Sequence, residues 1–486
     1  MRASYLTALA CVAVAAAPGC AMGPSFTPRE MRAPDQWSAA ALDEAGEIVQ
    51  SDPAPQWWTL FGDPLLTELV ELTHERNLDL RAAALRVAQS RAQRDAVAGR
   101  RGPDVSGNAS WQRQRQSEFG VGTRLIDAIG APGAERDAVI DVLSQPHDVY
   151  QAGFDASWEL DLWGRVRRML ESADASAAAS AAELQFVQLS IAAETARTYI
   201  ELRGVQDQLR IARRDVEASE GLLELTQLRA DGGLVTQLDV VSQRARLADA
   251  RARIPQIEQL ATQLIDNLGL LCGEPPGALR ERLAGARPIP TPPPQVAVGV
   301  PSQAARRRPD IRAAEARLQA ATAEIGVAAA DLYPRITLTG GFLAQSLESA
   351  DLGEWGARQW AVGPSLYLPL FDGGRRRAVL ELRELQQQEA AVNYQHTVLR
   401  AWREIDNALS AYRAEQRRLE DLQAAVAASQ EAYEIAAMRY EHGLVSFLVA
   451  LDAQRTLLQA QRAHSDSTTA VATHLVALYK ALGGAW

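Results

Sequence analysis

Two stretches of the chain, 165–231 and 376–442, are patterned as single uninterrupted helices. In the second, Val398, Ile405, Tyr412, Leu419, Val426, Tyr433 and Tyr440 fall at intervals of seven; in the first, Leu202, Leu209, Val216 and Leu223 do the same. At 1.5 Å per residue, about 67 residues reach roughly 100 Å. No globular core of a chain this size is that deep. Such a helix must bury its stripe against other long helices, as in a coiled coil. Composition agrees: 47% of residues are apolar but only 6% aromatic, so the apolar content is mostly Ala, Leu and Val, which suits helices better than a sandwich or propeller.

The chain is also written twice. Asp79-Leu80-Arg81-Ala82-Ala83 lies over Asp310-Ile311-Arg312-Ala313-Ala314, and Pro103 falls on Pro334 at the same offset. Leu160-Asp161-Leu162-Trp163-Gly164-Arg165 pairs with Leu368-Pro369-Leu370-Phe371-Asp372-Gly373. Arg229 and Gly233-Leu234-Val235-Thr236 recur as Arg439 and Gly443-Leu444-Val445-Ser446. Three matches in one order define a repeat. The expected organisation is a leader over 1–19, an extended segment over 20–62, a first repeat over 63–271, a Pro-rich linker over 272–306 and a second repeat over 307–483. Each repeat reads as a helix (64–99; 303–331), two strands joined by a loop, the long helix, a tight Gly turn, and a closing helix (237–271; 447–482). The two shorter helices stacked end to end match the long one. A repeat is then a long hairpin with one unbroken arm.

The strand segments alternate. Tyr150, Ala152, Phe154, Ala156, Trp158, Leu160 and Leu162 face one way, and Gln151, Gly153, Asp155, Ser157, Glu159 and Asp161 the other. Trp360, Val362, Pro364 and Leu366 form a second apolar row; Val105, Ala109 and Trp111 and then Ile336, Leu338 and Phe342 form two more. This period fits a half-buried soluble sheet packed on helices, or a strand of a membrane barrel. No stretch of the mature chain approaches 18 uninterrupted apolar residues, so any crossing of a membrane must be made by strands in a closed barrel. Four strands cannot close one, since about eight is the lower limit. Three chains would supply the rest.

The N-terminus carries an address. Arg2, the short apolar stretch Leu6 to Ala17 and then Pro18-Gly19-Cys20 read as a secretory signal too short to span a bilayer. The exit on Cys20 resembles a bacterial lipobox, which implies cleavage before Cys20 and acylation of it. Ala21 in place of Asp then implies sorting to the outer membrane. An ordinary signal with a coincidental Cys is the alternative. Cys11 leaves with the leader, and Cys272 is left as a small helix-end residue.

The formal net charge is −10, which argues against nucleic acid as a partner. The six His include no helical pair at metal-ligating spacing, and no phosphate-binding Gly loop is present. Gly232-Gly233 and Gly373-Gly374 are better turns than loops for a nucleotide. No catalytic constellation and no cofactor beyond a covalent lipid on Cys20 is expected, so the chain is not read as an enzyme.

Together, Cys20-Ala21-Met22-Gly23-Pro24, Trp57-Trp58, Phe61-Gly62-Asp63-Pro64-Leu65, Arg308-Pro309-Asp310-Ile311-Arg312, Tyr333-Pro334, Leu368 to Arg375, and Tyr440 to Gly443 with Leu451 to Arg455 resemble the outer membrane factor family. These are the TolC- and OprM-like exit ducts, and the closest likeness is to the NodT-type lipoproteins of RND-type efflux systems. The resemblance covers essentially the whole mature chain. It implies a mainly α fold with membrane β: a homotrimer closing a 12-stranded β-barrel, continued by a 12-helix α-barrel through the periplasm. It also implies a periplasmic membrane fusion (adaptor) protein and an inner-membrane pump as partners, and passive conduction of drugs or other toxic compounds.

The resemblance assigns residues too. The turns at 231–236 and 441–446 become the periplasmic tips, with Asp239 and Asp452 lining the constriction and Tyr440 holding the closed state. Val449 stands where a second acid is frequent. For Asp239 the alternative is a helix N-terminal charge, and for Tyr440 a packing role in the heptad row. Trp163, Phe371, Arg165 and Arg375 read as an interface belt at headgroup level, or as solvated helix starts. Two other functions stay open at this point: an exit for secreted protein, and a pore-less coiled-coil envelope lipoprotein.

Overall fold

The computed structural model describes residues 21–28, 37, 48–49, 51, 54–120 and 133–484. The leader, Cys11 and Cys20 lie outside the described residues. The main elements are β1 (Ile48–Val49), α1 (Pro64–Arg76), α2 (Leu78–Ala98), β2 (Asp104–Gln114), α3 (Gly133–Ser144), β3 (His147–Glu159), α4 (Arg165–Asp231) and α5 (Gln237–Leu271). There follow α6 (Arg280–Leu283), β4 (Val296–Ala297), α7 (Pro301–Arg307), α8 (Pro309–Ala330), β5 (Arg335–Ser346), β6 (Arg358–Tyr367), α9 (Arg375–Glu441) and α10 (Phe447–Ala481). Both α4 and α9 are unbroken over 67 residues. No helix among those described is long and apolar enough to cross a membrane.

The first helix of each repeat, expected as one piece, is interrupted at a single residue, Asn77 or Arg308. Asn77 is extended, and its Oδ1 accepts from the N–H groups of Asp79 and Leu80 at 2.9 and 3.0 Å. It ends one helix and caps the next. Arg308 precedes Pro309, whose ring disfavours helical geometry in the residue before it. A second departure is α3, which lies between the first two strands where only a loop was expected.

The chain divides into two compact units. One holds the described residues of 1–27, 91–175 and 319–388; the other holds those of 28–90, 176–318 and 389–486. In the first, four strands form one antiparallel sheet in the order β2-β3-β5-β6. The register puts Gly107, Phe154, Phe342 and Trp360 in one row, with Trp158, Leu338 and Pro364 in another on the same face. The opposite face carries Ser106, Asp155, Gly341 and Ala361 in register, then Asn108, Gly153, Leu343 and Gln359. Among the described residues nothing covers the apolar face: Phe154, Trp111 and Trp360 are 63%, 60% and 76% exposed. A sheet packed on its own helices would bury these rings. Both edge strands end the ladder, and Pro364 sits on the edge strand β6, where a missing donor is tolerated.

The second unit has its own core. Trp57 stacks on Tyr479 with ring centres 5.5 Å apart, beside buried Trp58, Leu66, Tyr199, Leu268 and Leu475. Asp63 Oδ1 caps α1 by accepting from Leu65 N at 2.8 Å, and its Oδ2 accepts from the Tyr199 hydroxyl at 2.6 Å. Buried Arg308 makes sense of the Arg-Pro-Asp motif. It donates to both oxygens of Asp310, to Glu404 at 2.7 Å and to the Ala481 carbonyl at 2.7 Å. That one guanidinium fastens the start of α8 to α9 and to the end of α10. Cys272 is buried against Thr73, and burial pushes its thiol above the ordinary range, so it is a packing residue and not a nucleophile.

Candidate channel gate and membrane collar

The two hairpin turns are built alike. α4 ends with Leu234 N donating to Arg229 O at 2.9 Å and Gly233 N to Ala230 O at 3.0 Å; α9 ends with Leu444 N to Arg439 O at 2.8 Å and Gly443 N to Tyr440 O at 2.9 Å. Both are Schellman closures. Their left-handed positions are Gly233 (φ 72°) and Gly443 (φ 74°), which a side chain would strain.

Tyr440 belongs to an apolar pad with Phe447 and Ala450, against which Leu222, Leu225, Val445 and Leu451 pack. Its ring also receives the other hairpin. The Arg229 guanidinium lies 4.5 Å from the ring centre, and Arg229 Nη2 donates to Glu441 O at 2.9 Å. The Thr226 and Tyr440 hydroxyls are 3.4 Å apart. Packing and inter-hairpin bonding are thus combined in one residue. Asp239 completes a capping box: its Oδ2 accepts from Thr236 N at 3.0 Å and from Thr236 Oγ1 at 2.8 Å. Asp452 is exposed on the second turn of α10, and Val449 nearby is 48% exposed.

At the strand-to-helix corners the two repeats differ. Trp163 Nε1 donates to Pro334 O at 2.8 Å, and its ring stacks on Tyr333 at 5.0 Å. Arg165 is held by Glu159 in a two-pronged ion pair, with Nε 2.8 Å from Oε1. Both side chains are therefore engaged at the corner itself. Phe371, by contrast, is 92% exposed, and Arg375 is exposed beside it. Both corners are also capped. Asp161 accepts from Val166 N and Arg167 N at 2.9 Å each, and Asp372 accepts from Gly374 N and Arg376 N at 3.1 and 3.3 Å. A carboxylate thus caps the start of each long helix, reached from a different distance along the chain in the two repeats.

The model of a family described as outer membrane efflux protein matches residues 69–274 and 300–484. The chain belongs to that family. The outer membrane protein OprJ of Pseudomonas aeruginosa is 33% identical over 470 residues, covering 96% of this chain and 93% of that one. A toluene efflux pump outer membrane protein, TtgC, of Pseudomonas putida is 30% identical, with 96% and 93% covered. Among solved structures, the outer-membrane channel OprN superposes with a TM-score of 0.86 at 36% identity, covering 96% of this chain and all of that one. The open state of the MtrE outer membrane channel of Neisseria gonorrhoeae gives 0.80 at 28%, with 96% and 98% covered.

As an outer membrane efflux protein, the chain is an outer-membrane exit duct of an efflux system and not an enzyme. Its fold is TolC-like, and the pore-less spacer is set aside. Membership also implies adaptor and inner-membrane pump partners. Among the described residues no His/Cys/Asp/Glu group could hold a metal ion. Sequence reasoning had marked Arg229 only as a repeat match; its role as the partner of Tyr440 went unseen. The available signal was an Arg in the last turn of one long helix, opposite an aromatic at the same level of the other.

Proposed function

We propose that three copies of this chain, anchored by a lipid on Cys20, form one tube that conducts toxic small molecules from periplasm to exterior. The observation that carries this is the sheet: four strands, two open edges and an uncovered aromatic face opposite a polar one. Alone it leaves apolar rings in water; joined to two more copies it becomes a twelve-stranded wall whose greasy side meets lipid and whose Ser, Asn, Asp and Gln side lines a lumen. Names of relatives such as the toluene efflux pump protein support small toxic compounds as cargo. An RND-type pump supplies the energy through an adaptor that grips the hairpin tips. The duct itself does no chemistry.

In this reading the tips are the gate. Asp452 projects into the passage, and threefold symmetry sets three carboxylates near the axis, a ring that favours cations. Asp239 contributes charge at the same end while capping its helix. Tyr440, clasped by Arg229 and Thr226, keeps the hairpins together in the closed state. In the collar, Phe371 and Arg375 meet the lipid headgroups, while Trp163 and Arg165 stiffen the wall that carries them. Planar-bilayer recording of the purified full chain tests the reading: discrete cation-preferring conductances are expected, and a preparation silent at all voltages overturns it.

A further inference from the structure

The apolar seam of the hairpins is interrupted near the tips, as it is again farther along, where Arg203, Gln206, Ser465 and Ser467 are buried. On the tip side lie the pad residues Leu222, Leu225, Phe447, Ala450 and Leu451; on the other side buried Ile211, Ala212, Leu247, Ala250 and Leu457 resume the seam. Between them, each of three helices places polar side chains: buried Asp215 and Ser219 from α4, buried Gln243 and half-buried Arg246 from α5, and buried Gln454 from α10. The layer is only half bonded. Gln243 Nε2 donates to Ser219 O at 2.9 Å, Gln454 Nε2 lies 3.5 Å from Asp215 Oδ1, and Arg246 Nη2 is 3.8 Å from the same oxygen. Ser219 Oγ, Gln243 Oε1, Arg246 Nε and Gln454 Oε1 are buried with no hydrogen-bond partner among the described residues.

Charge adds to this. Asp215 faces Arg246, Arg253 and Asp249 from α5 and Arg462 from α10, with Tyr433 of α9 close by; Arg455 of α10 faces Arg246. Four guanidinium groups and two carboxylates thus lie within electrostatic range, with Arg246 nearest Asp215 at 3.8 Å and Arg253 paired to Asp249 at 2.7 Å. A half-satisfied buried polar layer costs stability that an apolar layer would supply. Its best-attested use is to fix register at a cost in stability, or to serve as a switch. The apolar pad at the tips is itself a cluster distinct from the core around Trp57 and Tyr479.

We infer that the layer of Asp215, Gln243, Arg246 and Gln454 is the hinge at which the hairpin tips come apart from the shaft, so that the tips open as a unit while the rest stays packed. This rests on the tips being the gate. The layer runs from the seventh residue of α5 to a point 16 residues before the end of α4, roughly 10–24 Å along the helices, so the moving piece is the pad and its two turns.

Hydrogen exchange on the detergent-extracted full chain, with bilayer recording beside it, tests this. In the wild type, amides of 222–229 and 436–451 exchange at least about tenfold faster than those of 198–212 and 405–412, as expected of a separate opening unit. In the triple variant Asp215→Leu, Arg246→Met, Gln454→Leu the two rates converge, and open events become about tenfold rarer with the open conductance unchanged. Gln454→Leu alone, a neutral change that keeps the ion pair, moves both readouts the same way by less and guards against a triple variant that fails to fold. Tip and shaft amides exchanging together in the wild type, or a folded variant that moves neither readout, overturns the hinge. A wild type without conductance overturns the duct instead, and the exchange rates still decide the hinge.

Discussion

The guanidinium of Arg229, at the end of the first hairpin, stacks on the Tyr440 ring of the second, 4.5 Å from its centre, and donates to the neighbouring Glu441 carbonyl. One cation spans both hairpins at the turns. A partly buried cation–π contact is worth about 0.5–2 kcal/mol, and 1.4 kcal/mol is tenfold in an equilibrium. Arg229→Ala should therefore raise open probability by roughly two- to thirtyfold, read as channel openings per unit time in a planar bilayer. Arg229→Lys restores part of it, because the ammonium keeps the charge but not the planar stack.

Asp452→Ala addresses the passage and not the latch. The residue is exposed and its backbone carbonyl accepts from Thr456, so the fold should hold. Reversal potentials in a salt gradient should shift away from cation preference, with little change in thermal stability. Asp239→Ala differs, because it also removes a capping box. That substitution should cost about 1 kcal/mol of helix stability and fray the first turn of α5 in hydrogen exchange.

Arg308→Met removes a buried cation that two carboxylates and a helix-terminal carbonyl surround. Breaking such a pair from one side costs about 3–5 kcal/mol. The expected outcome is a melting temperature lowered by several degrees or failure to assemble, assayed by thermal unfolding of the extracted protein. Arg308→Lys does not rescue it, since one ammonium cannot serve Asp310, Glu404 and the Ala481 carbonyl in a fixed fork.

A pH dependence follows from Asp215. Burial pushes its carboxyl above the ordinary range, against the opposing pull of Arg246, Arg462 and Arg253. A hydrated, opened layer would return it toward the ordinary carboxylate value. In the window between the two, the closed form holds a proton that the open form releases. Lowering pH into that window therefore favours the closed form, and the effect is lost as pH rises through the raised value. Open probability should fall on acidification in the wild type, and by less in Asp215→Asn, which cannot titrate.

The long helices were legible because a heptad row needs no tertiary information: α4 and α5 run over the expected 165–231 and 237–271, and α9 starts one residue early. The breaks at Asn77 and Arg308 were hidden because the apolar period continues through them. What ends the helix is a side chain turning back on the backbone and a proline ring. Tyr440 read as either packing or latch; its ring lies in the apolar pad and also meets Arg229 and Thr226 of the other hairpin. Its partner Arg229 lies 211 positions away in the chain, a pairing that periodicity cannot supply.

The central claim is that one chain is a third of a wall. Native mass measurement of the detergent-extracted protein tests it most directly. The account predicts a single species of three chains that falls apart when the edge strands are disrupted, for instance by proline substitution at Asn108 in β2. A stable species of one chain, with the aromatic face of its sheet shielded from lipid-phase quenchers, would contradict it.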